Sequence, residues 1–139
     1  MTIAVIDGQG GRIGATLITS LRNAGVTAPH TILAVGTNSL ATSAMLRAGA
    51  DQGATGPNPV VVTSRMADLI VGPIGIIITD ALLGEITAEM AQAISNSPAQ
   101  KLLLPFNHCK TQVVGTQTMT FNQIIESATA TICNMCSKE

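Results

Sequence analysis

The chain has 139 residues, of which 46% are hydrophobic and only 11% are charged; this predicts one domain, residues 1–139, with an aliphatic core. The formal net charge is −1, Lys and Arg form no basic stripe, and aromatic residues make up 1% of the chain, which argues against a nucleic-acid binder. A surface with so few charges predicts that another copy covers part of it, so we expect a homo-oligomer.

The sequence also argues against a membrane span and a signal peptide. The longest apolar run, residues 69–78, contains two glycines and a proline and is shorter than the ~20 residues that a bilayer requires. No basic region precedes the first apolar strand. We therefore expect a cytoplasmic protein without membrane contact.

Hydrophobic periodicity predicts alternating strands and helices. Predicted strands cover residues 2–6, 31–35, 60–63, 68–71 and 101–104. Predicted helices cover residues 11–24, 40–48, 88–95 and 121–132, with Asn38 or Ser39 as the N-cap of the second. Residues 53–59 predict a loop, residues 72–75 break regular structure, and residues 76–78 fit a buried turn, a helix start or an interface patch. Residues 112–115 predict a last strand, antiparallel to residues 101–104 because the connection is too short for a parallel crossover.

This order of elements predicts an α/β fold. We expect a three-layer, Rossmann-like, mostly parallel sheet with helices on both faces and a C-terminal antiparallel hairpin strand. Ligands of such folds bind beyond the carboxyl ends of the strands. Those ends are residues 7–11, 36–39, 72–75 and 105–109, and we expect the functional site there.

A glycine-rich turn follows the first predicted strand and opens the first predicted helix. Gly8, Gly10 and Gly14 are spaced so that the backbone turns tightly and its N–H groups, with the positive end of the helix, face an anion. The turn therefore predicts binding of a phosphate-bearing nucleotide or dinucleotide; the alternative is a tight turn in which Gly14 only lets helix and strand approach. The predicted cofactor-binding residues are Gly8, Gln9, Gly10, Gly11, Arg12, Ile13, Gly14, Thr37, Asn38, Ser39, Gly72 and Pro73.

Residues 7–14, Asp-Gly-Gln-Gly-Gly-Arg-Ile-Gly, resemble the first unit of a Rossmann dinucleotide-binding domain. Within that class they are similar to the short-chain dehydrogenase pattern T-G-x-x-x-G-I-G. Gly8, Ile13 and Gly14 match the pattern, whereas Asp7 stands at its threonine and Arg12 at its middle glycine.

Two features of the chain depart from that class. It has no Tyr and so lacks the catalytic tyrosine of the short-chain dehydrogenases. The carboxylate that binds a ribose hydroxyl after the second strand is also missing, and residues 36–39, Gly-Thr-Asn-Ser, occupy its place. Neutral hydroxyl and amide groups there, with the cation of Arg12, suit a phosphorylated ribose such as that of NADP, so the predicted cofactor is NADP or another phosphate-bearing nucleotide.

Over its whole length the chain resembles a family of short bacterial proteins of unknown function. The resemblance rests on residues 7–14, 36–46, 48–51, 67–78 and 83–87. It implies a Rossmann-like fold and brings no activity or catalytic residue.

The candidate catalytic residues are Asp7, Asn107, His108 and Cys109. Asp7 suits a metal, a ligand hydroxyl or the N–H groups of the turn itself, and His108 with Asp7 is the candidate acid–base pair. One alternative function is therefore a nucleotide-dependent, oxidoreductase-like enzyme with residues 105–110 at its active site; another is a non-catalytic oligomeric scaffold or sensor. Gly72 and Pro73 form either the floor under a base or ribose or an apolar bend in the core.

Cysteines occur at positions 109, 133 and 136. An odd number in a cytosolic chain is typical of free thiols. Cys133 and Cys136 have the C-x-x-C spacing of zinc or redox sites, but one pair is half a site, so we predict no bound metal.

Overall fold

The computed structural model describes residues 1–106 and 110–139. The strands are β1 Thr2–Asp7, β2 Thr31–Gly36, β3 Gln52–Thr55, β4 Leu69–Pro73 and β5 Gln100–Leu104. The helices are α1 Arg12–Asn23, α2 Ser39–Arg47, α3 Pro57–Met66, α4 Ala88–Asn96 and α5 Phe121–Cys136, with a 3₁₀ helix at Ile74–Ile77. All strand pairs are parallel, in the order β3-β2-β1-β4-β5.

Two apolar layers cover the sheet, and the central strand β1 supplies side chains to both in alternation. Ile3 and Val5 belong to the cluster that includes apolar residues of α1, α2 and α5, and Ala4 and Ile6 belong to the cluster that includes those of α3 and α4. All four side chains are fully buried. The predicted α/β fold, with a parallel sheet and helices on both faces, is confirmed.

The segment that joins α2 to β4 differs from the prediction. Residues 60–63 lie in α3 rather than in a strand, and β3 occupies part of the predicted loop. The valines at 60–62 have strand propensity, but Pro57 fits the first turn of a helix, and Val60 is buried in the cluster that includes α4. Every residue of β3 is exposed, so this strand has no apolar pattern to detect.

Residues 112–115 form no strand, and the predicted antiparallel hairpin is wrong. This segment satisfies polar groups through local turns instead of a strand ladder. The hydroxyl of Thr116 donates to the carbonyl of Val113, and the N–H of Met119 donates to the carbonyl of Thr116. Val114 is 88% exposed, so the segment has little apolar burial to gain as a strand.

β4 continues through the glycine and proline at which the sequence predicts a break, and the 3₁₀ helix follows directly. Ile76 is fully buried among the residues of α4 and β1, and Ile77 and Ile78 are partly buried against them. Of the three interpretations of residues 76–78, the buried turn is therefore the one that the structure supports.

Helix α2 begins where the sequence predicts it, because Asn38 acts as the N-cap. The Asn38 side chain accepts a hydrogen bond from the N–H of Ala41 at 2.9 Å. Within residues 1–106 and 110–139, no helix combines the length and the apolar character needed to span a bilayer.

Candidate functional site

The glycine loop, residues 8–11, joins β1 to α1 through a tight turn. The N–H of Gly11 donates to the carbonyl of Gly8 at 2.9 Å. Gln9 and Gly11 have φ values of 50° and 71°, in the left-handed region. The turn leads from the end of β1 at Asp7 into α1, whose first residue is Arg12.

Packing explains two of the nearby glycines but not Gly10. A Cβ on Gly11 would lie 2.8 Å from the backbone of Ala41, and one on Gly14 would lie 2.5 Å from the sulfur of Met45. Both glycines therefore let α1 approach α2. A Cβ on Gly10 would meet no atom within 4 Å, and Gly10 is exposed, so the protein sets no steric requirement for glycine there.

Asp7 caps α1 from the end of β1. Its two carboxylate oxygens accept hydrogen bonds from the N–H groups of Gly8 and Gly14, each at 2.8 Å. The side chain is only 3% exposed, and this burial raises the pKa of the carboxyl, opposed by the hydrogen bonds from Gly14, Gly8 and Ile13. Of the interpretations of Asp7, acceptance of the turn's own N–H groups is the one that the contacts support.

A second carboxylate, that of Glu85, bridges the ends of β1 and β2. Its Oε2 accepts the N–H of Gln9 at 2.7 Å, the hydroxyl of Thr37 and the side-chain amide of Asn38 at 3.2 Å. Desolvation opposes ionisation, but the bonds from Thr37, Gln9 and Asn38 outweigh it and lower the pKa of Glu85. Sequence reasoning missed Glu85, because it lies in a loop far along the chain from both strand ends.

The glycine loop forms one wall of a cleft of about 240 Å³, which we call the glycine-loop cleft. Residues 7–13 line it on one side, and Leu82, Phe106 and Phe121 line it on the others. The two phenyl rings lie 5.2 Å apart between centroids, and the guanidinium of Arg12 stacks 4.1 Å from the centre of the Phe121 ring. The cleft thus combines a cation, exposed loop backbone and an aromatic wall.

Comparison with known proteins identifies the family but not the activity. A family model described as a domain of unknown function (DUF3842) matches residues 2–137. The chain belongs to the DUF3842 family. This agrees with the predicted resemblance to a family of unknown function, and no curated protein matches the chain significantly.

Among solved structures, the DUF3842 chain is similar to the crystal structure of a dodecameric FMN-dependent UbiX-like decarboxylase from Escherichia coli O157:H7. The alignment has 12% sequence identity and covers 99% of this chain and 94% of that chain, with a TM-score of 0.45. A likeness of this size carries neither the cofactor nor the assembly of that protein over to this one.

The predicted cofactor-binding residues do not all lie together in the structure. Residues 8–13 line the cleft, whereas Thr37 and Asn38 contact Glu85. Gly14 is buried against α2, and Ser39 is exposed at the start of α2. Gly72 and Pro73 are buried within β4 and do not line the cleft, and a Cβ on Gly72 would collide with the carbonyl of Ile6.

The candidate catalytic residues Asn107, His108 and Cys109 lie outside the described residues, and so does the His108–Asp7 pair. Cys133 and Cys136 are free, half-buried thiols near the end of α5. They line a cavity with His30 at the opposite end of the sheet from the glycine loop. In the part of the chain that the structure describes, no group of three or more His, Cys, Asp and Glu side chains is placed to hold a metal ion.

Proposed function

We propose that this DUF3842 protein binds a phosphate-bearing nucleotide in the glycine-loop cleft. The observation that carries the proposal is Gly10. It lies exposed on the wall of the cleft, and a side chain there would meet no protein atom within 4 Å. Glycine at that point is explained by a ligand that approaches the backbone closely, as a phosphate does in glycine-rich loops.

The hydrogen-bond pattern of the loop supports the same ligand. The N–H groups of Gly8, Gln9 and Gly11 all donate to protein acceptors. Among the described residues, the N–H groups of Gly10 and Arg12 have no protein acceptor. These two donors and the Arg12 side chain are the groups that would hold a phosphate.

Asp7 limits how that phosphate binds. Its carboxylate already accepts hydrogen bonds at the N-terminal end of α1, from Gly14 and Gly8. A phosphate at the same N–H groups would displace or face a carboxylate. We therefore place the phosphate toward Gly10 and Arg12, with the nucleoside against Phe106 and Phe121.

NADP, one of the ligands expected from the sequence, fits the geometry less well than a nucleotide without a 2′-phosphate. Thr37 and Asn38, the neutral groups that suit a 2′-phosphate, hold the carboxylate of Glu85 instead. A 2′-phosphate there would face a second negative charge. The proposed ligand is therefore a nucleotide without a 2′-phosphate. Two expectations from the sequence, an active site at residues 105–110 and assembly into a homo-oligomer, stay predictions.

A thermal-shift screen followed by titration calorimetry tests the proposal. The probes are AMP, FMN, NADP and inorganic phosphate, and a ligand at 100 times its Kd raises apparent stability by about 2.7 kcal/mol. We expect stabilisation by at least one mononucleotide, and none in a Gly10→Val variant that stays folded. No response to any of the probes would favour the alternative of a scaffold with a structural glycine turn.

A further inference from the structure

The two sides of the glycine loop differ in a way that bears on ligand size. In the order β3-β2-β1-β4-β5, α1 leads from β1 to β2 on one side, and α3 returns the chain to β4 on the other. Dinucleotides bind across such a point of reversal, with phosphates over the loop and one nucleoside on each side. The β2 side normally takes a ribose, through hydrogen bonds to its hydroxyls.

The β2 side of this loop is filled by the protein. The carboxylate of Glu85 lies between the two strand ends and bonds to Gln9, Thr37 and Asn38. A Cβ on Gly8 would lie 2.5 Å from Glu85 Oε2 and 2.8 Å from Leu82 Cδ1, so these side chains pack directly on the loop backbone. No ribose fits there without moving both.

Both side chains belong to residues 79–86, a segment that backbone hydrogen bonds between its own residues stabilise. We call it the Glu85 loop. The N–H of Asp80 donates to the carbonyl of Ile86 at 2.8 Å, and the N–H of Gly84 donates to the carbonyl of Asp80 at 3.1 Å. Asp80, Leu82 and Leu83 all have positive φ, a conformation that persists only where surrounding contacts hold it. The hydrogen bonds from Gln9, Thr37 and Asn38 hold the Glu85 carboxylate at the end of this loop.

The β4 side remains open. The glycine-loop cleft lies there, because Phe106 follows β5 and Phe121 begins α5. Its volume of about 240 Å³ lies below the ~300–1,000 Å³ of pockets for drug-sized ligands. A cleft of this size favours one nucleotide over two, because the β2 side offers no space for a second nucleotide.

We infer that the site takes a mononucleotide and excludes dinucleotides, with Glu85 as the residue that determines this specificity. The inference rests on the proposed function and names the ligand class of the same cleft. Glu85 determines the specificity because its side chain, which comes from the loop before α4, packs on the backbone of Gly8 and occupies the space at the end of β2.

Titration calorimetry on matched pairs tests the inference. AMP is compared with NAD⁺, and FMN with FAD, because each dinucleotide contains the mononucleotide plus a second nucleotide. We expect at least one mononucleotide to bind tenfold or more tightly than its dinucleotide. Equal or tighter binding of the dinucleotide overturns the inference but leaves the proposed function standing, whereas binding of no mononucleotide or dinucleotide overturns the proposed function itself.

Variants of Glu85 assign the effect to this side chain. Glu85→Ala removes the carboxylate from the β2 side and is expected to reduce the preference at least threefold, mainly through tighter dinucleotide binding. Glu85→Gln keeps the side-chain volume and is expected to keep most of the preference. Glu89→Ala, an exposed carboxylate in the first turn of α4, is the matched control and leaves the preference unchanged. An unchanged preference in a folded Glu85→Ala variant would show that Glu85 does not determine the specificity. If Glu85→Ala does not fold, the ratio of mononucleotide to dinucleotide affinity is compared between the wild type and Glu85→Gln.

Discussion

Oδ2 of Asp7 accepts a hydrogen bond from the backbone N–H of Gly14 at 2.8 Å, so the last residue of β1 caps the helix that follows the glycine loop. The N-cap residue of α1, Gly11, has no side chain to do so. A carboxylate at this position satisfies N–H groups that have no partner within the helix, and it complements the helix dipole. Asp7 thus stabilises the loop from inside the fold.

Replacement of Asp7 by Asn is expected to destabilise the protein by about 1–3 kcal/mol at pH 7. The amide keeps one acceptor oxygen but turns an NH₂ group toward either Gly8 or Gly14, which leaves a buried donor unsatisfied. Loss of the buried charge offsets part of this cost. Urea unfolding measures the difference, with the exposed Asp80→Asn as the control, expected within about 0.5 kcal/mol of the wild type. Equal stability of Asp7→Asn would show that the cap is not needed.

The stabilising effect of Glu85 is expected to depend on pH. Because its pKa in the folded protein is below the ordinary value of 4.5, its contribution to stability is complete above pH 4.5 and is lost as the pH falls through the lowered pKa. The advantage of the wild type over Glu85→Gln should therefore shrink on acidification below pH 4.5.

Urea titrations at pH 7 and pH 3 measure that advantage, with Glu89→Gln as the control for loss of an exposed carboxylate. An advantage that grows at pH 3 would contradict the assignment of the hydrogen bonds to ionised Glu85.

Arg12→Ala is expected to lower the affinity for phosphorylated ligands more than the affinity for their unphosphorylated analogues. A hydrogen bond to a charged group contributes about 1.5–3 kcal/mol, which corresponds to roughly a tenfold or greater loss of affinity. Calorimetry with AMP against adenosine, and FMN against riboflavin, measures the difference. Arg12→Lys keeps the positive charge but loses the guanidinium that stacks on Phe121, so this variant distinguishes the effect of the charge from the effect of the stacking. Arg65→Ala, which removes an exposed arginine of α3, is the control. Equal losses for both members of each pair would remove Arg12 from the phosphate contact.

The sequence predicts the central part of the fold well, because hydrophobic patterns within short segments are enough to identify its strand and helix. β1 and α1 lie within one residue of their predicted ends, since an apolar strand and a one-sided helical stripe flank the glycines. β3 has only exposed residues, and α3 contains valines that favour strands, so neither follows from local patterns. Tertiary contacts decide both elements.

The sequence predicts only the part of the candidate site that one contiguous segment forms, because the other part depends on tertiary contacts. Residues 8–13 form a contiguous motif and do line the cleft. Glu85 contacts Gln9 and Asn38 across separations of 76 and 47 residues, and no spacing rule connects such positions. Phe106 and Phe121 likewise come together only because the end of β5 lies beside the start of α5.

The decisive measurement for nucleotide binding in the glycine-loop cleft is the affinity of the Gly10→Val variant for the mononucleotide that stabilises the wild type. Gly10 has no left-handed φ and no neighbour within 4 Å of its would-be Cβ, so the variant is expected to fold normally while its side chain blocks the loop backbone. Thr19→Val, which places the same side chain at an exposed position of α1, is the control. We expect at least a tenfold loss of affinity for Gly10→Val and none for Thr19→Val; unchanged affinity in folded Gly10→Val would show that the nucleotide does not bind at this loop.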